Sequence, residues 1–324
     1  MFNILAIGQS GRLQYEAILL AASLRANDPA FAGRLIIATP NAGPLWDHDP
    51  AITDPATLSL LQDLGAEILP FDSRHFGSAY PYGNKIEALA HLPDEPFLFL
   101  DTDTLVTAPV STLPFEFTKP SASMKRSDTW PTPELYGPDR TAIWKSLYDR
   151  FGLDFASSLD HSQPDDYWQR YLYFNAGWFF ATSPRAFGAT FLKYATEIAA
   201  NPGPALACQS LDPWLDQIAL PLAIHAHGGG RPPAALAALD TTATCHWRLL
   251  PLLYARESDD VVAKLETIAQ TPPLKAVLQN YPPFKRMIYQ RKGHEVRALF
   301  DRENLPRREQ AIRNTIKRAG LWVR

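Results

Sequence analysis

An uninterrupted apolar segment, Phe97–Leu100, ends at two aspartates, Asp101 and Asp103, that are separated by a single residue. An apolar run of this kind between Pro96 and Pro109 is typical of a strand buried on both faces. Side chains two residues apart on a strand point to the same side, so the two carboxylates are predicted to converge. The carboxyl end of such a strand is where ligands bind in parallel sheets, and a divalent cation would relieve the repulsion between the carboxylates. A solvated turn that happens to carry two acids is the alternative.

Strand and helix patterns alternate through the first hundred residues and return after residue 170. This alternation predicts an α/β fold with a mostly parallel sheet covered by helices on both faces. The other predicted strands are 2–7, 34–39, 66–71 and 171–181, and the predicted helices are 15–26, 57–64, 83–90, 183–201 and 211–220.

Residues 107–170 lose the alternation and are rich in Pro, Ser, Asp and Trp. They are predicted to form a long irregular insertion with one helix at 139–151, and such excursions are often lids or binding loops. Residues 259–324 are predicted to be a helical extension of a domain that covers 1–258. Its last helix is predicted at 304–318, with Leu305, Ile312 and Ile316 on one stripe.

The net charge of −3 gives no reason to expect nucleic-acid binding, but the charge is distributed unevenly. Residues 281–324 contain 12 Lys and Arg against 4 Asp and Glu, a net of +8, so the remaining 280 residues carry −11. A basic helical end of this kind indicates either contact with an anionic membrane surface or a solvated helix face.

Two cysteines, Cys208 and Cys245, have neither metal-ligand spacing nor the pattern of a disulfide framework, which favours a reducing compartment. The first eight residues contain no basic leader followed by a long apolar core. A cytoplasmic protein, peripheral at the inner face of the membrane if the basic end binds there, is therefore expected.

Polar residues that follow or interrupt other predicted strands are further candidates for the site. Asn175 and Gly177 break an apolar strand, as at a bulge or where the backbone approaches a ligand closely. Arg12 ends a glycine-containing turn, Gly8–Arg12, that is either a phosphate contact or a plain strand-to-helix connection. His246 stands in a short segment at 241–250, where a structural role is the alternative to a ligand role.

The motifs together resemble nucleotide-sugar-dependent glycosyltransferases of the GT-A fold, most closely the group that contains glycogenin and bacterial lipopolysaccharide galactosyltransferases. The resemblance covers about residues 1–250. The elements that carry it, in chain order, are the first strand, Lys85, Asp101-Thr102-Asp103, Phe174-Asn175-Ala176-Gly177, Asp216-Gln217 and His246.

The resemblance implies a Mn²⁺ or Mg²⁺ ion on the diphosphate of the donor, held by Asp101, Asp103 and His246. It implies that the donor nucleotide contacts Lys85, Arg12, Asp101, Thr102 and Gly177. It also implies that Asn175, Asp216 and Gln217 line the donor sugar and the acceptor, with Asp216 the acid nearest the reacting carbon. The expected reaction moves a hexose, from a donor expected to be UDP-linked, to a glycan or lipid-linked acceptor in surface polysaccharide or lipopolysaccharide assembly.

One departure from the family pattern and two rival interpretations leave alternatives open. The family's histidine is usually followed by a glycine and a Lys-Pro-Trp element, which His246-Trp247-Arg248 lacks, so His225 and His227 compete for the ligand role. Asp101-Thr102-Asp103 also resembles the nucleophile motif of haloacid-dehalogenase-type phosphatases, although Leu105 stands where that family has threonine. A catalytically silent domain that binds a nucleotide or glycan is the third alternative.

Overall fold

The computed structural model describes residues 1–125 and 130–323. The four residues at 126–129 belong to the predicted insertion and residue 324 to the predicted extension, and both lie outside the described residues. The strands are β1 (Asn3–Ile7), β2 (Leu35–Pro40), β3 (Ala66–Phe71), β4 (Phe97–Leu100), β5 (Thr104–Val106), β6 (Ser121–Ser123), β7 (Asn175–Ala181) and β8 (Thr244–His246).

The helices of the first 230 residues are α1 (Arg12–Asn27), α2 (Pro55–Asp63), α3 (Asn84–Glu87), α4 (Arg140–Arg150), α5 (Phe155–Ser158), α6 (Pro184–Ala200) and α7 (Leu215–Ala226). Those of the remaining chain are α8 (Leu250–Arg256), α9 (Asp259–Ala269), α10 (Pro272–Leu278), α11 (Pro282–Phe284), α12 (Lys292–Ala298) and α13 (Glu309–Arg318).

Six strands form the central sheet, in the order β3-β2-β1-β4-β7-β6. The pairs from β3 to β4 are parallel, whereas β7 runs antiparallel to both β4 and β6. Helices cover both faces, so the predicted α/β class with a mostly parallel sheet is confirmed. The strands β5 and β8 form a separate antiparallel pair.

The strand β4 is buried on both faces, as its apolar run predicts. Its side chains alternate between two core clusters, with Leu98 and Leu100 in one and Phe97 and Phe99 in the other. The first cluster also contains residues from the C-terminal helices, and α9 and α10 pack on α1 and α2. The predicted extension therefore shares a core with the sheet.

Three predicted elements begin at least four residues later than expected. The strand predicted at 171–181 begins at Asn175, because its neighbour β6 is only three residues long and pairs no further than that residue. Ala122 of β6 pairs with Phe179 and the next residue, Ser123, pairs with Asn175, and this register shift agrees with the predicted bulge. Residues 171–174 are nevertheless buried.

The helix predicted from 211 begins at Leu215, so Asp212 precedes the helix instead of lying on its face. The helix predicted from 304 begins at Glu309, so Leu305 also lies outside it. Asp212 and Leu305 each precede a proline, and a residue before proline is disfavoured from the helical conformation. The predicted helix at 139–151 is confirmed as α4, whose first turn is capped by the Asp139 carboxylate.

Candidate active site

Asp101 and Asp103 lie in the connection between β4 and β5, and two other strands bring their partners to them. The Asp101 amide donates to the Gly177 carbonyl of β7 over 2.8 Å. Because β5 pairs with β8 in a register that sets Thr104 opposite His246, the imidazole lies beside the carboxylates. Its Nε2 is 3.0 Å from Asp103 Oδ1 and 3.8 Å from Asp101 Oδ2.

These two aspartates and His246 form a group that fits a divalent cation. One ligand atom from each residue lies within 4.8 Å of the other two. Two carboxylate oxygens and one imidazole nitrogen are a donor set that suits Mn²⁺. A side chain at Gly177 would collide with Nδ1 of His246, so the glycine provides the space in which the ring sits.

The charges in this group stabilise one another. Burial opposes ionisation of Asp103, but His246, Arg12 and Lys85 together outweigh it and lower the pKa of Asp103 to about 2. Burial likewise opposes protonation of His246, but Asp103 outweighs it and raises the pKa of the imidazole. The shift favours a protonated imidazole beside the carboxylates, and a metal ion bound there would replace that proton.

Lys85 connects the aspartate pair to the predicted catalytic acid. Its Nζ is 3.0 Å from Asp101 Oδ1, 3.3 Å from Asp216 Oδ2 and 3.1 Å from the Ala176 carbonyl oxygen. Burial disfavours the charged amine, but the two carboxylates outweigh it and raise the pKa of Lys85. The three donors of the ammonium thus bind protein groups, and its predicted contact with a nucleotide stays a prediction.

Asp216 and Gln217 lie in the first turn of α7 and are held by two tyrosines. The Asp216 carboxylate accepts a hydrogen bond from the Tyr80 hydroxyl over 2.8 Å and one from the backbone N–H of Gln217 over 2.9 Å. Burial raises the pKa of Asp216, with Lys85 opposing the shift. The Tyr173 hydroxyl donates to Gln217 Oε1 over 2.8 Å. Both side chains are therefore fixed before any substrate binds.

Arg12, Thr102 and a buried glutamate form a layer behind the aspartates. Arg12 lies 3.0 Å from Glu16 Oε1 and 3.9 Å from Asp103 Oδ2. The Thr102 hydroxyl donates to Glu16 Oε2 over 3.1 Å. Glu16 is 1% exposed, and its burial, followed by the nearby Asp103 charge, raises its pKa well above the usual value.

Glu16 was not predicted as a site residue, although its place on the apolar side of the first helix, four residues after Arg12, was a usable signal.

A cavity of about 1100 Å³ opens over these groups. The predicted site residues that line it are Arg12, Lys85, Asp101, Asp103, Asn175, Asp216, Gln217 and His246. Thr102 and Gly177 are absent from the lining, since the former faces Glu16 and the latter contributes only backbone. Asn175 lines the cavity while its Oδ1 accepts from the Gly177 amide.

Two parts of the lining contain none of the residues predicted for the site. One consists of the aromatic residues Tyr82 and Trp214. The other is a wall from the C-terminal quarter of the chain, formed by Arg248, Leu249, Arg256 and 305–310 together with Ile312 and Arg313. The excess of basic residues after 281 was the available signal for this wall, but nothing in the sequence indicated which part of the sheet it covers.

The competing histidines lie elsewhere. The His225 ring contacts Ser157 and Tyr148, and His227 Nε2 is 2.9 Å from the Thr190 hydroxyl. Among the described residues, the group of potential metal ligands contains only His246 with the two aspartates.

A family model described as "Rhodobacterales glycosyltransferase domain" matches residues 4–228. The match confirms the predicted resemblance to glycosyltransferases, and it covers β1 through α7. No curated protein matches the chain.

Several solved glycosyltransferase structures are similar to the chain at low sequence identity. The galactosyltransferase LgtC, in complex with donor and acceptor sugar analogues, is 14% identical, covers 84% of this chain and 98% of its own, and has a TM-score of 0.47. The bifunctional glycosyltransferase WbbM is 12% identical over 90% of this chain and 51% of its own, with a TM-score of 0.47. GlyE of Streptococcus pneumoniae is 12% identical over 89% and 65%, with a TM-score of 0.44.

Proposed function

This chain belongs to the Rhodobacterales glycosyltransferase domain family. We propose that it uses a divalent cation to transfer a hexose from a UDP-linked donor to an acceptor hydroxyl. The observation that carries the proposal is the convergence of Asp101, Asp103 and His246. The aspartates lie between β4 and β5, and the histidine lies on β8, which pairs with β5. An oxygen-rich cation site at the carboxyl end of a strand is suited to a diphosphate.

Asp101, Asp103 and His246 would hold a Mn²⁺ or Mg²⁺ ion, which would supply positive charge to the leaving diphosphate. Lys85 contacts both Asp101 and Asp216, so it fixes the distance between the proposed cation ligand and the predicted acid. The Gln217 oxygen is taken by Tyr173, which leaves its amide group to donate to a substrate oxygen. Asn175 lines the same cavity and would contact the donor sugar.

The acceptor is proposed to bind at the side of the cavity that carries Tyr82 and Trp214. Tyr82 is 52% exposed, and both aromatic residues line the same cavity as Asp216 and Gln217. Aromatic surfaces beside a few fixed polar groups are typical of small-molecule sites. We propose that the acceptor is a glycan or a lipid-linked glycan. The basic C-terminal residues are proposed to make a peripheral contact with the membrane.

Family membership favours sugar transfer over the phosphatase alternative, in which Asp101 would be the nucleophile. One oxygen of that carboxylate is held by Lys85 and the other faces His246. A catalytically silent domain would bind the nucleotide sugar without turning it over. Assays for hydrolysis or transfer of UDP-sugars therefore distinguish it from a transferase.

Isothermal titration of UDP into the chain, with Mn²⁺ and then with EDTA, tests the metal site. We expect binding that requires the metal, and Asp103→Asn should weaken it by about 100-fold, since even the loss of an outer-shell partner costs 10–100-fold. Asp149→Asn is the matched control, because Asp149 is an exposed residue of α4 paired with Lys145. Equal binding with and without metal would contradict the proposed site. Metal-dependent binding with no turnover of any UDP-sugar would favour the catalytically silent domain over the transferase.

A further inference from the structure

The C-terminal wall of the cavity carries a concentration of arginines that the proposed reaction has not used. Arg248 and Arg256 come from the chain after β8, Arg307 and Arg308 precede α13, and Arg313 lies within it. All five line the same cavity as the aspartates and His246. The backbone carbonyl of Arg248 lies 3.4 Å from Arg12 NH1, so the wall reaches the edge of the aspartate site.

One carboxylate, Glu309, lies at the centre of these arginines. Its Oε2 is 2.6 Å from Arg256 and 3.7 Å from Arg248, and its Oε1 is 2.6 Å from Arg313. The Glu309 side chain is 17% exposed. Burial opposes its ionisation, but the Arg313 hydrogen bond and the charges of Arg256 and Arg248 outweigh it and lower the pKa of Glu309.

Basic groups outnumber this carboxylate in the C-terminal wall. Three guanidinium groups lie within 4 Å of Glu309, and Arg307 and Arg308 are exposed and line the same cavity. The Nε of Arg256 is buried and has no hydrogen-bond partner. Guanidinium groups bind planar or tetrahedral oxyanions through paired N–H donors, and phosphate offers more acceptor oxygens than a carboxylate does.

We propose that Arg248, Arg256 and Arg313 form a subsite for a phosphate group of the substrate, and that Glu309 is an internal counter-ion which occupies this subsite until the substrate binds. The inference rests on the proposed function, because it takes the substrate of this cavity to carry phosphate. Two sources share that chemistry, namely the diphosphate of the nucleotide donor and a phosphate on a lipid-linked acceptor.

Titration of inorganic pyrophosphate into the full chain in EDTA tests the subsite without the metal. Glu309→Gln removes the competing charge and keeps the shape, so pyrophosphate should bind about tenfold more tightly. Arg313→Gln removes a charged donor, and binding should weaken by about tenfold, within the range for hydrogen bonds to charged groups. Arg302→Gln is the control, since Arg302 pairs with exposed Asp259 and is absent from the cavity lining.

The arginines could instead serve only to fasten α13 to α8. In that case Glu309→Gln and Arg313→Gln would lower the melting temperature and leave the pyrophosphate affinity unchanged, and this result would overturn the proposal. An absence of pyrophosphate binding to every variant would overturn it as well. If Arg313→Gln does not fold, Arg248→Gln replaces it, because Arg248 belongs to the proposed subsite and lines the cavity. It should weaken pyrophosphate binding about threefold, as expected for a partly exposed charge.

The affinity for UDP with Mg²⁺ separates the two sources of phosphate. If the subsite holds the donor diphosphate, Arg313→Gln should weaken UDP binding by about tenfold as well; if it holds an acceptor phosphate, UDP affinity should stay unchanged while pyrophosphate affinity falls. Failure of the subsite is distinct from failure of the proposed function, because metal-dependent UDP binding through Asp103 is measured separately from pyrophosphate binding in EDTA.

Discussion

Gly177 has no side chain at the point where β7 passes the imidazole of His246. An added methyl group would meet Nδ1 and Cε1 of the ring, and the Asn175 side chain lies on the same side. The ring is also fixed by its contact with Asp103 and by the pairing of β8 with β5, so it cannot move without losing its position over the aspartates.

We therefore expect Gly177→Ala to displace His246 and to weaken metal-dependent UDP binding by about tenfold or more, while overpacking costs about 1–3 kcal/mol of stability. Isothermal titration with Mn²⁺ and urea denaturation measure the two effects. Gly230→Ala is the control, because a methyl group there meets open space. Unchanged UDP affinity in Gly177→Ala would show that the imidazole is no ligand.

At the scale of the element, α13 has two faces with different partners. The predicted apolar stripe is confirmed for Ile312 and Ile316, which are 3% and 0% exposed and belong to the core that includes the sheet. Arg313 of the same helix lines the cavity, as do Arg307 and Arg308 in the segment before it. The apolar face of α13 is thus buried against the protein and is not available for insertion into a lipid surface.

Replacement of Ile316 should loosen the cavity wall together with the core. Ile316→Ala is expected to cost about 2–5 kcal/mol of unfolding free energy, as for other fully buried aliphatic side chains. Urea denaturation measures this cost, and Ala311→Gly, on the exposed side of the same helix, should cost about 1 kcal/mol. A small effect of Ile316→Ala would mean that α13 is not held by its apolar stripe.

At the scale of the whole molecule, the charge is divided between an acidic body and a basic C-terminal region. Many of the basic residues after 281 are paired, for example Arg297 and Arg302 with Asp259. Lys317 and Arg318 at the end of α13 are exposed. None of the described helices has the length and apolarity needed to span a membrane. The proposed contact with a membrane would therefore be electrostatic.

Vesicles that contain anionic lipid should bind the full chain at low salt and release it at high salt, because each basic residue near such a surface contributes about 1 kcal/mol. Charge reversal of Lys317 and Arg318 to glutamate should weaken this binding by about tenfold or more. Reversal of Lys145 and Lys193, which lie on α4 and α6, is the matched control. If the intact chain ignores anionic vesicles at low salt, the proposed membrane contact is wrong.

The sequence by itself determined the class of fold and predicted the pair of carboxylates in the candidate cation site. Apolar runs such as Phe97–Leu100 indicate buried strands because a strand covered on both faces has no polar position, and the alternation with helices then requires a mostly parallel sheet. Two aspartates spaced by one residue at the end of such a run already predicted an oxygen-rich site.

Only the tertiary structure decided which distant residues complete the site. The choice of His246 over His225 and His227 follows from the pairing of β8 with β5, a contact between segments about 140 residues apart. The burial of Glu16 and the return of α13 to the cavity depend likewise on how helices pack. Local patterns report periodicity and conformational preference, whereas such contacts are set by burial of the whole chain, which no local pattern specifies.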